Sequence, residues 1–163
     1  MPEFRIGLGH DIHRFEEGRP LVLGGVKIDF PKGLAGHSDA DALIHAIMDA
    51  MLGALALDDI GTHFPDTDPA YKGISSLELL KKVAILIKEK GYETVNIDST
   101  IRTEKPKIMP HREKMKAKLA EALSLSPDRI SIKAGTNEGM DSIGAGLAIE
   151  CEAVVLLRKL TKS

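Results

Sequence analysis

Asp11 and His13, two residues apart, together with His45 are the side chains of this sequence best suited to binding a metal ion. In an extended strand residues i and i+2 share a face, so Asp11 and His13 converge while Ile12 packs behind them. A carboxylate with neutral imidazoles suits zinc, with manganese or iron as further options. Three protein ligands and one open position are the arrangement of catalytic rather than structural zinc. The competing reading is two partly buried histidines, each hydrogen-bonded to a neighbouring carboxylate. Asp49, one helical turn beyond His45, is spaced to orient the ring nitrogen that faces away from the metal.

Other residues suit the recognition of anions and hydroxyls. His37 and Ser38 precede the helix that carries His45; Ser38 reads as its N-cap, with Asp41 completing an S-x-x-D capping box. A helix N-terminus also favours an anion such as phosphate, to which His37 can donate a hydrogen bond. The loop Phe64-Pro65-Asp66-Thr67-Asp68-Pro69, with Asp59 and Gly61 just before it, is either a pair of Asx-turns or a lid whose carboxylates hold the hydroxyls of a polyol. Lys105-Pro106-Lys107 sets two point charges near a strand end, either solvated or clamped on phosphate. Thr136, Asn137 and Glu138 add a hydroxyl, an amide and a carboxylate, and Glu138 suits Mg²⁺, which takes one or two carboxylates plus substrate phosphates. The sequence has no Walker motif, no G-x-G-x-x-G and no Ser/His/Asp order, so it carries no familiar nucleotide-hydrolysis or dinucleotide machinery.

The elements that must position these groups alternate in type. Residues 4–13 read as a strand, 20–30 as a hairpin turning at Gly24-Gly25, and 31–38 as a loop. The helix expected from Asp39 to Leu57 is apolar nearly everywhere except Asp41, His45, Asp49 and Gly53, a single stripe at intervals of four. A helix apolar on every other side is buried, and its stripe must face water, a polar network or a site. Residues 58–73 read as a turn-rich loop without regular structure. An amphipathic helix over 75–90 turns Leu77, Leu80, Ala84 and Ile87 to one side and stops at Gly91. A strand over 92–103, a charged helix from Pro110 to Leu123 with Met115 and Leu119 inward, a strand over 129–134, a glycine-rich loop over 135–146 and a strand over 147–158 complete the chain. The result is an α/β (α+β) sandwich, one mostly β sheet covered on one face by helices. Glu150 and Glu152 share a face with Ala148 and Val154 in the last strand, which suggests a polar centre at a symmetry axis.

With 163 residues, 43% of them hydrophobic, the chain suffices for one domain spanning 1–163 with one core. A net charge of −2 supplies no field for nucleic acid or an anionic membrane, so phosphate binding must come from local groups. Cys151 is the only cysteine, and the N-terminus lacks a basic-then-apolar leader, so a cytoplasmic protein is expected, without a membrane span.

Taken together, G-x-G-x-D-x-H at Gly7–His13, G-H-S-D-x-D at Gly36–Asp41, the F-P-D-T-D-P loop, K-P-K followed by Met109-Pro110-His111, and T-x-E at Thr136–Glu138 resemble one family along essentially the whole chain: the 2-C-methyl-D-erythritol 2,4-cyclodiphosphate synthases of non-mevalonate isoprenoid biosynthesis. The resemblance implies a homotrimer with active sites between subunits, one Zn²⁺ per subunit on Asp11, His13 and His45, and Mg²⁺ or Mn²⁺ bound with substrate near Glu138. It implies a phosphorus–oxygen lyase that converts 4-diphosphocytidyl-2-C-methyl-D-erythritol 2-phosphate to the cyclic diphosphate and CMP. His37 and Thr136 match the family's transition-state stabilisers. Thr103, Glu104, Lys105, Pro106, Lys107, Ile108 and Met109 match the segment that holds the cytidine and its phosphates, and Gly135, Thr136, Asn137 and Glu138 match further substrate-binding positions. Asp59, Ile60 and Gly61 with Phe64, Pro65, Asp66, Thr67 and Asp68 match those around the methylerythritol end, beside Asp11, His13, His37 and Ser38. The sequence departs from the family at Ser142 and Ala145, where an aromatic and an arginine are frequent, and at His10, where an aromatic is frequent. Two other readings of the same residues are a zinc phosphohydrolase that uses water as its nucleophile and a trimeric binding protein with a buried polar network.

Overall fold

In a computed structural model, described over residues 2–161, five strands form one sheet in the order β4-β1-β7-β5-β6. They are β1 (Phe4–Glu17), β4 (Lys32–Leu34), β5 (Tyr92–Arg102), β6 (Ile130–Gly135) and β7 (Ala148–Lys159), and a separate hairpin pairs β2 (Leu21–Leu23) with β3 (Val26–Ile28). All pairs are antiparallel except β5 with β6, whose parallel register needs a crossover. That crossover carries α4 (Arg112–Leu123), which packs with α1 (Ala42–Ala54) and α3 (Ser76–Glu89) on one face of the sheet. The expected sandwich, a sheet covered on one side by helices, is therefore present.

Gly24 and Gly25 both have positive φ, as the two-residue hairpin turn requires. Several local expectations are corrected. The first strand runs on to Glu17, and β4 lies within residues 31–38, where a plain loop was expected. Residues 58–73 contain a four-residue helix, α2 (Ile60–His63), and a 3₁₀ turn at Pro69–Tyr71, because Asp59 and Asp68 each cap the turn that follows them. The glycine-rich stretch after β6 includes a further short helix, α5 (Asp141–Gly144). In α3 the buried residues are Ser76, Leu79, Leu80, Val83 and Ile87, so its inward face is rotated from the expected one; Leu77 and Ala84 lie at its margin.

The start of α1 also differs. Ser38 is not its cap: the helix begins at Ala42, and Asp41 Oδ1 accepts from the Ile44 N–H. Asp41 is fully buried, and its carboxylate also accepts from the N–H groups of Gly24 and Gly25, joining the hairpin turn to the helix. Burial and the neighbouring Asp39 push its pKa up to about 6 against these three donors. Every α1 residue except Asp49 and Gly53 is buried, which agrees with the apolar-all-round pattern.

The long strand β1 has an inverted pleat. Gly7, Gly9, Asp11 and His13 face the helices, whereas Phe4, Ile6, Leu8 and Ile12 face outward and are exposed. Ile12 thus does lie on the opposite side from the two ligands, but it is exposed rather than packed in the core. The glycines explain the inversion. A Cβ at Gly7 would lie 1.8 Å from the Ala50 carbonyl oxygen, and one at Gly9 would lie 1.8 Å from that of Ala46. The backbone of α1 therefore rests directly on the backbone of β1.

Candidate active site

Close seating of α1 on β1 brings His45 over Asp11 and His13. Asp11 Oδ2 lies 2.7 Å from His13 Nε2 and 3.1 Å from His45 Nδ1, and one donor atom from each residue falls within 4.8 Å of the others. Among the described residues this is the only cluster of three such side chains. The tautomer of His13 is fixed by its surroundings: Nδ1–H donates to the Ala35 carbonyl at 2.6 Å, so in the neutral ring Nε2 carries the lone pair. That nitrogen is buried and makes no hydrogen bond, although it sits beside a carboxylate oxygen. Two lone-pair bearers in contact repel unless a cation lies between them. The orphaned nitrogen and the N,N,O donor set fit a borderline divalent metal.

Burial works against charge on Asp11, but the two imidazoles outweigh it and hold the carboxyl well below the usual range. Burial likewise disfavours a charged His13, yet Asp11 and the Ala35 carbonyl raise its pKa on balance.

A cavity of about 220 Å³ opens from this cluster. It is lined by Asp11, His13, His37, Ser38, His45, Ile60, Gly61, Phe64 and Asp66 from the expected set, and also by Gly36, Tyr71 and Leu79. His37 Nε2–H donates to the Asp68 carbonyl, and the His37 carbonyl accepts from Gly73 N–H, which ties the 58–73 segment to the cavity mouth. Asp59 and Asp68 spend their carboxylates on caps, and with Pro65 and Thr67 they lie outside this lining. Asp49 does not orient His45: its Oδ1 accepts from Ile60 N–H at 2.8 Å and anchors α2 instead. Burial raises its pKa, partly offset by that N–H.

A second lobe, about 170 Å³, is lined by Thr103, Glu104, Pro106, Lys107, Ile108, Met109, Gly135 and Thr136, together with Ala134. Thr103 N–H donates to the Gly135 carbonyl, and Glu104 accepts from Asn137 N–H, so the ends of β5 and β6 are held together. Lys105 is exposed and lies outside the lining. Thr136, Asn137 and Glu138 also border a third cavity with Arg102, Glu150 and Glu152. The two lobes are not merged. Asp11 pairs with Cys151, Cys151 with Ile101 and Ile101 with Ala134, three strand spacings or roughly 14 Å across the sheet. Within one chain Ala134, on the wall of the second lobe, therefore stands apart from Asp11.

Sequence reasoning missed Ser76 and Tyr71. The buried Ser76 hydroxyl reaches His45 from the first turn of α3, and nothing in its local sequence distinguishes it from an ordinary helix-start serine.

The sequence profile of the YgbB family matches residues 4–158. The chain belongs to the YgbB family. It is 56% identical over 156 residues to the 2-C-methyl-D-erythritol 2,4-cyclodiphosphate synthase of Chloroherpeton thalassium, covering 96% of this chain and 99% of that one. It is 52% identical to the synthase of Dechloromonas aromatica, covering 96% and 98%. Among solved structures it resembles the CDP complex of IspF from Plasmodium falciparum, at 36% identity, TM-score 0.87 and 99% coverage of both chains. It also resembles the bifunctional IspDF of Campylobacter jejuni, at 40% identity and TM-score 0.93, matching over 97% of its own length but only 43% of that longer protein.

Proposed function

We propose that this protein is a CMP-releasing lyase of isoprenoid biosynthesis. It closes 4-diphosphocytidyl-2-C-methyl-D-erythritol 2-phosphate into 2-C-methyl-D-erythritol 2,4-cyclodiphosphate. The substrate's 2-phosphate oxygen attacks the β-phosphorus, the α–β phosphoanhydride bond breaks, and its electron pair leaves with CMP. The protein supplies no nucleophile of its own. Its task is to hold a flexible polyanion in a ring-closing pose, and orientation of this kind is worth about 7–11 kcal/mol in favourable systems. The observation that carries the reading is the convergence of Asp11, His13 and His45 on the wall of a cavity, with His13 Nε2 buried and unpartnered.

Those three residues would hold zinc, and Glu138 would hold Mg²⁺ or Mn²⁺ with the substrate phosphates. When bound, the ions supply Lewis-acid polarisation and charge neutralisation at the diphosphate. The chain's own groups do the rest. The lobe at Thr103–Met109 and Gly135–Thr136 receives the cytidine end, where the Lys107 ammonium compensates charge on departing CMP. His37 and Thr136 stabilise charge on the non-bridging oxygens, while Ile60, Gly61, Phe64 and Asp66 enclose the methylerythritol end.

The working unit is a homotrimer in the cytoplasm, each chain forming one catalytic domain, with active sites shared between neighbours. Two features support this: the roughly 14 Å between the lobes of one chain, and the outward face of β1 and β7. Ile6 and Leu8 on that face are about two-thirds exposed, and Val154 lies opposite Leu8 in the register. A neighbouring copy seated there buries this face and sets one chain's nucleotide lobe beside its neighbour's metal trio. The test is to mix protein, substrate and Mg²⁺ and follow CMP release and the ³¹P spectrum of the co-product. A cyclic diphosphate is expected; linear phosphates would mean that water is the nucleophile and would overturn the proposal.

A further inference from the structure

His45 turns Nδ1 toward Asp11, and its other ring nitrogen does not meet Asp49 but enters a buried hydroxyl network. Nε2 lies 3.0 Å from Ser76 Oγ and 3.2 Å from Ser38 Oγ. Ser76 is 0% exposed, and its hydroxyl has a single proton. That proton is committed to Asp39 Oδ1, because a carboxylate can only accept. Toward His45, then, Ser76 Oγ has only lone pairs to offer, and Nε2 must carry the hydrogen. The Nδ1 lone pair is left aimed at the site of Asp11 and His13. Asp39 is itself held in place: Oδ2 accepts from Ser76 N–H at 2.9 Å, and Oδ1 accepts from Asp41 N–H at 3.2 Å. It thereby satisfies a backbone donor at the start of α3, where Ser75 makes no side-chain cap.

We propose that Ser76 and Asp39 are a positioning pair for the metal centre, fixing His45 in the Nε2–H tautomer so that Nδ1 is permanently available as a ligand. The inference rests on the metal reading of the trio given above. It makes the two imidazoles complementary: His13 is locked by the Ala35 carbonyl to offer Nε2, and His45 is locked by Ser76 to offer Nδ1. Neither ring has to reorient or change tautomer when the metal arrives.

The experiment uses the metal-free, ¹⁵N-labelled full chain and long-range ¹H–¹⁵N spectra of the imidazoles. A zinc titration against a competing chelator follows, with Asp11→Ala as control and far-UV circular dichroism to verify the fold. The wild type is expected to hold His45 as the Nε2–H form. Ser76→Ala is expected to give a mixture of tautomers and about 10–100-fold weaker zinc binding with an unchanged fold. Asp39→Ala removes no atom in contact with the ring, yet it frees the Ser76 proton to turn toward Nε2, so it is expected to shift the tautomer in the same direction. Wild-type tautomer and affinity in both variants would overturn the positioning role while leaving the metal site intact. Zinc binding no tighter in the wild type than in Asp11→Ala would show instead that the metal reading fails, and the positioning role with it.

Discussion

Replacing Gly9 by alanine tests whether the metal centre depends on backbone contact between β1 and α1. The added Cβ would start 1.8 Å from the Ala46 carbonyl oxygen and 2.8 Å from the Ala50 nitrogen. Carbon–oxygen contacts settle at about 3.3 Å or more, so helix and strand must separate by more than about 1 Å. Neither neighbour is a side chain that can swing away; both are backbone atoms of a helix whose inward residues are fully buried. His45 immediately precedes Ala46, so it moves with the helix, while Asp11 and His13 stay with the strand. Metal–ligand distances tolerate only about ±0.2 Å, so a shift of this size misplaces the third ligand. Overpacking of this kind costs about 1–3 kcal/mol, which for a chain this long lowers Tm by roughly 2–12 °C. Zinc affinity is expected to fall at least tenfold, comparable to losing a partner that orients a ligand. Gly53→Ala is the control on the same helix: its Cβ meets nothing within 4 Å, and alanine there should be neutral or stabilising by up to about 1 kcal/mol. The assays are thermal melts of the metal-free protein and zinc titration against a chelator. A Gly9→Ala variant that melts within 1 °C of wild type and binds zinc equally well would refute the argument.

Three further outcomes are expected. Asp41 protonates more readily folded than unfolded, so its contribution is full below its ordinary pKa of 3.8 and declines as pH rises toward about 6. The stability difference between wild type and Asp41→Asn, measured by urea melts with a chelator present, should therefore shrink by about 3 kcal/mol across that window; a flat difference would refute it. Leu8→Glu places a charge in the exposed apolar strip of β1 and, if the proposed trimer uses this face, should yield smaller species than wild type in analytical ultracentrifugation with the secondary structure retained; an unchanged mass would remove this face from the interface. Lys107→Ala should lower kcat about 10²–10³-fold with little loss of zinc, and a variant changed only in KM would assign Lys107 to ground-state binding instead.

Residues whose reasons are local were legible in the sequence, and residues whose reasons lie across the fold were not. The i, i+2 spacing of Asp11 and His13 in a strand, and the polar stripe that singles out His45 on an apolar helix, both follow from periodicity, and the trio assembles as expected. The partner of His45 did not follow. Asp49 lies one turn away on the same helix and is the natural choice by spacing, but its carboxylate is taken by the Ile60 N–H, and Ser76 arrives from a helix 31 positions further on. Ser38 failed as a cap for a related reason: Asp41, expected only to complete a capping box, binds three N–H groups from two elements and starts the helix later.

The motif G-x-G-x-D-x-H then has one mechanical meaning rather than two. Its glycines and its ligands occupy the same face of β1 at successive inward positions, so the feature that lets α1 seat on the strand also sets the height at which His45 meets Asp11 and His13. Between Arg5 and His13, seating α1 on glycines leaves β1 no apolar side chain on its inward face. The apolar residues of this stretch, Ile6, Leu8 and Ile12, therefore point outward and are exposed, as a face that meets a partner would be. Under the function proposed above, metal binding and subunit assembly are thus two consequences of one alternation. A substitution that fills the inward side, such as Gly9→Ala, should disturb the metal before the oligomer, whereas one on the outward side, such as Leu8→Glu, should disturb the oligomer and leave the metal bound.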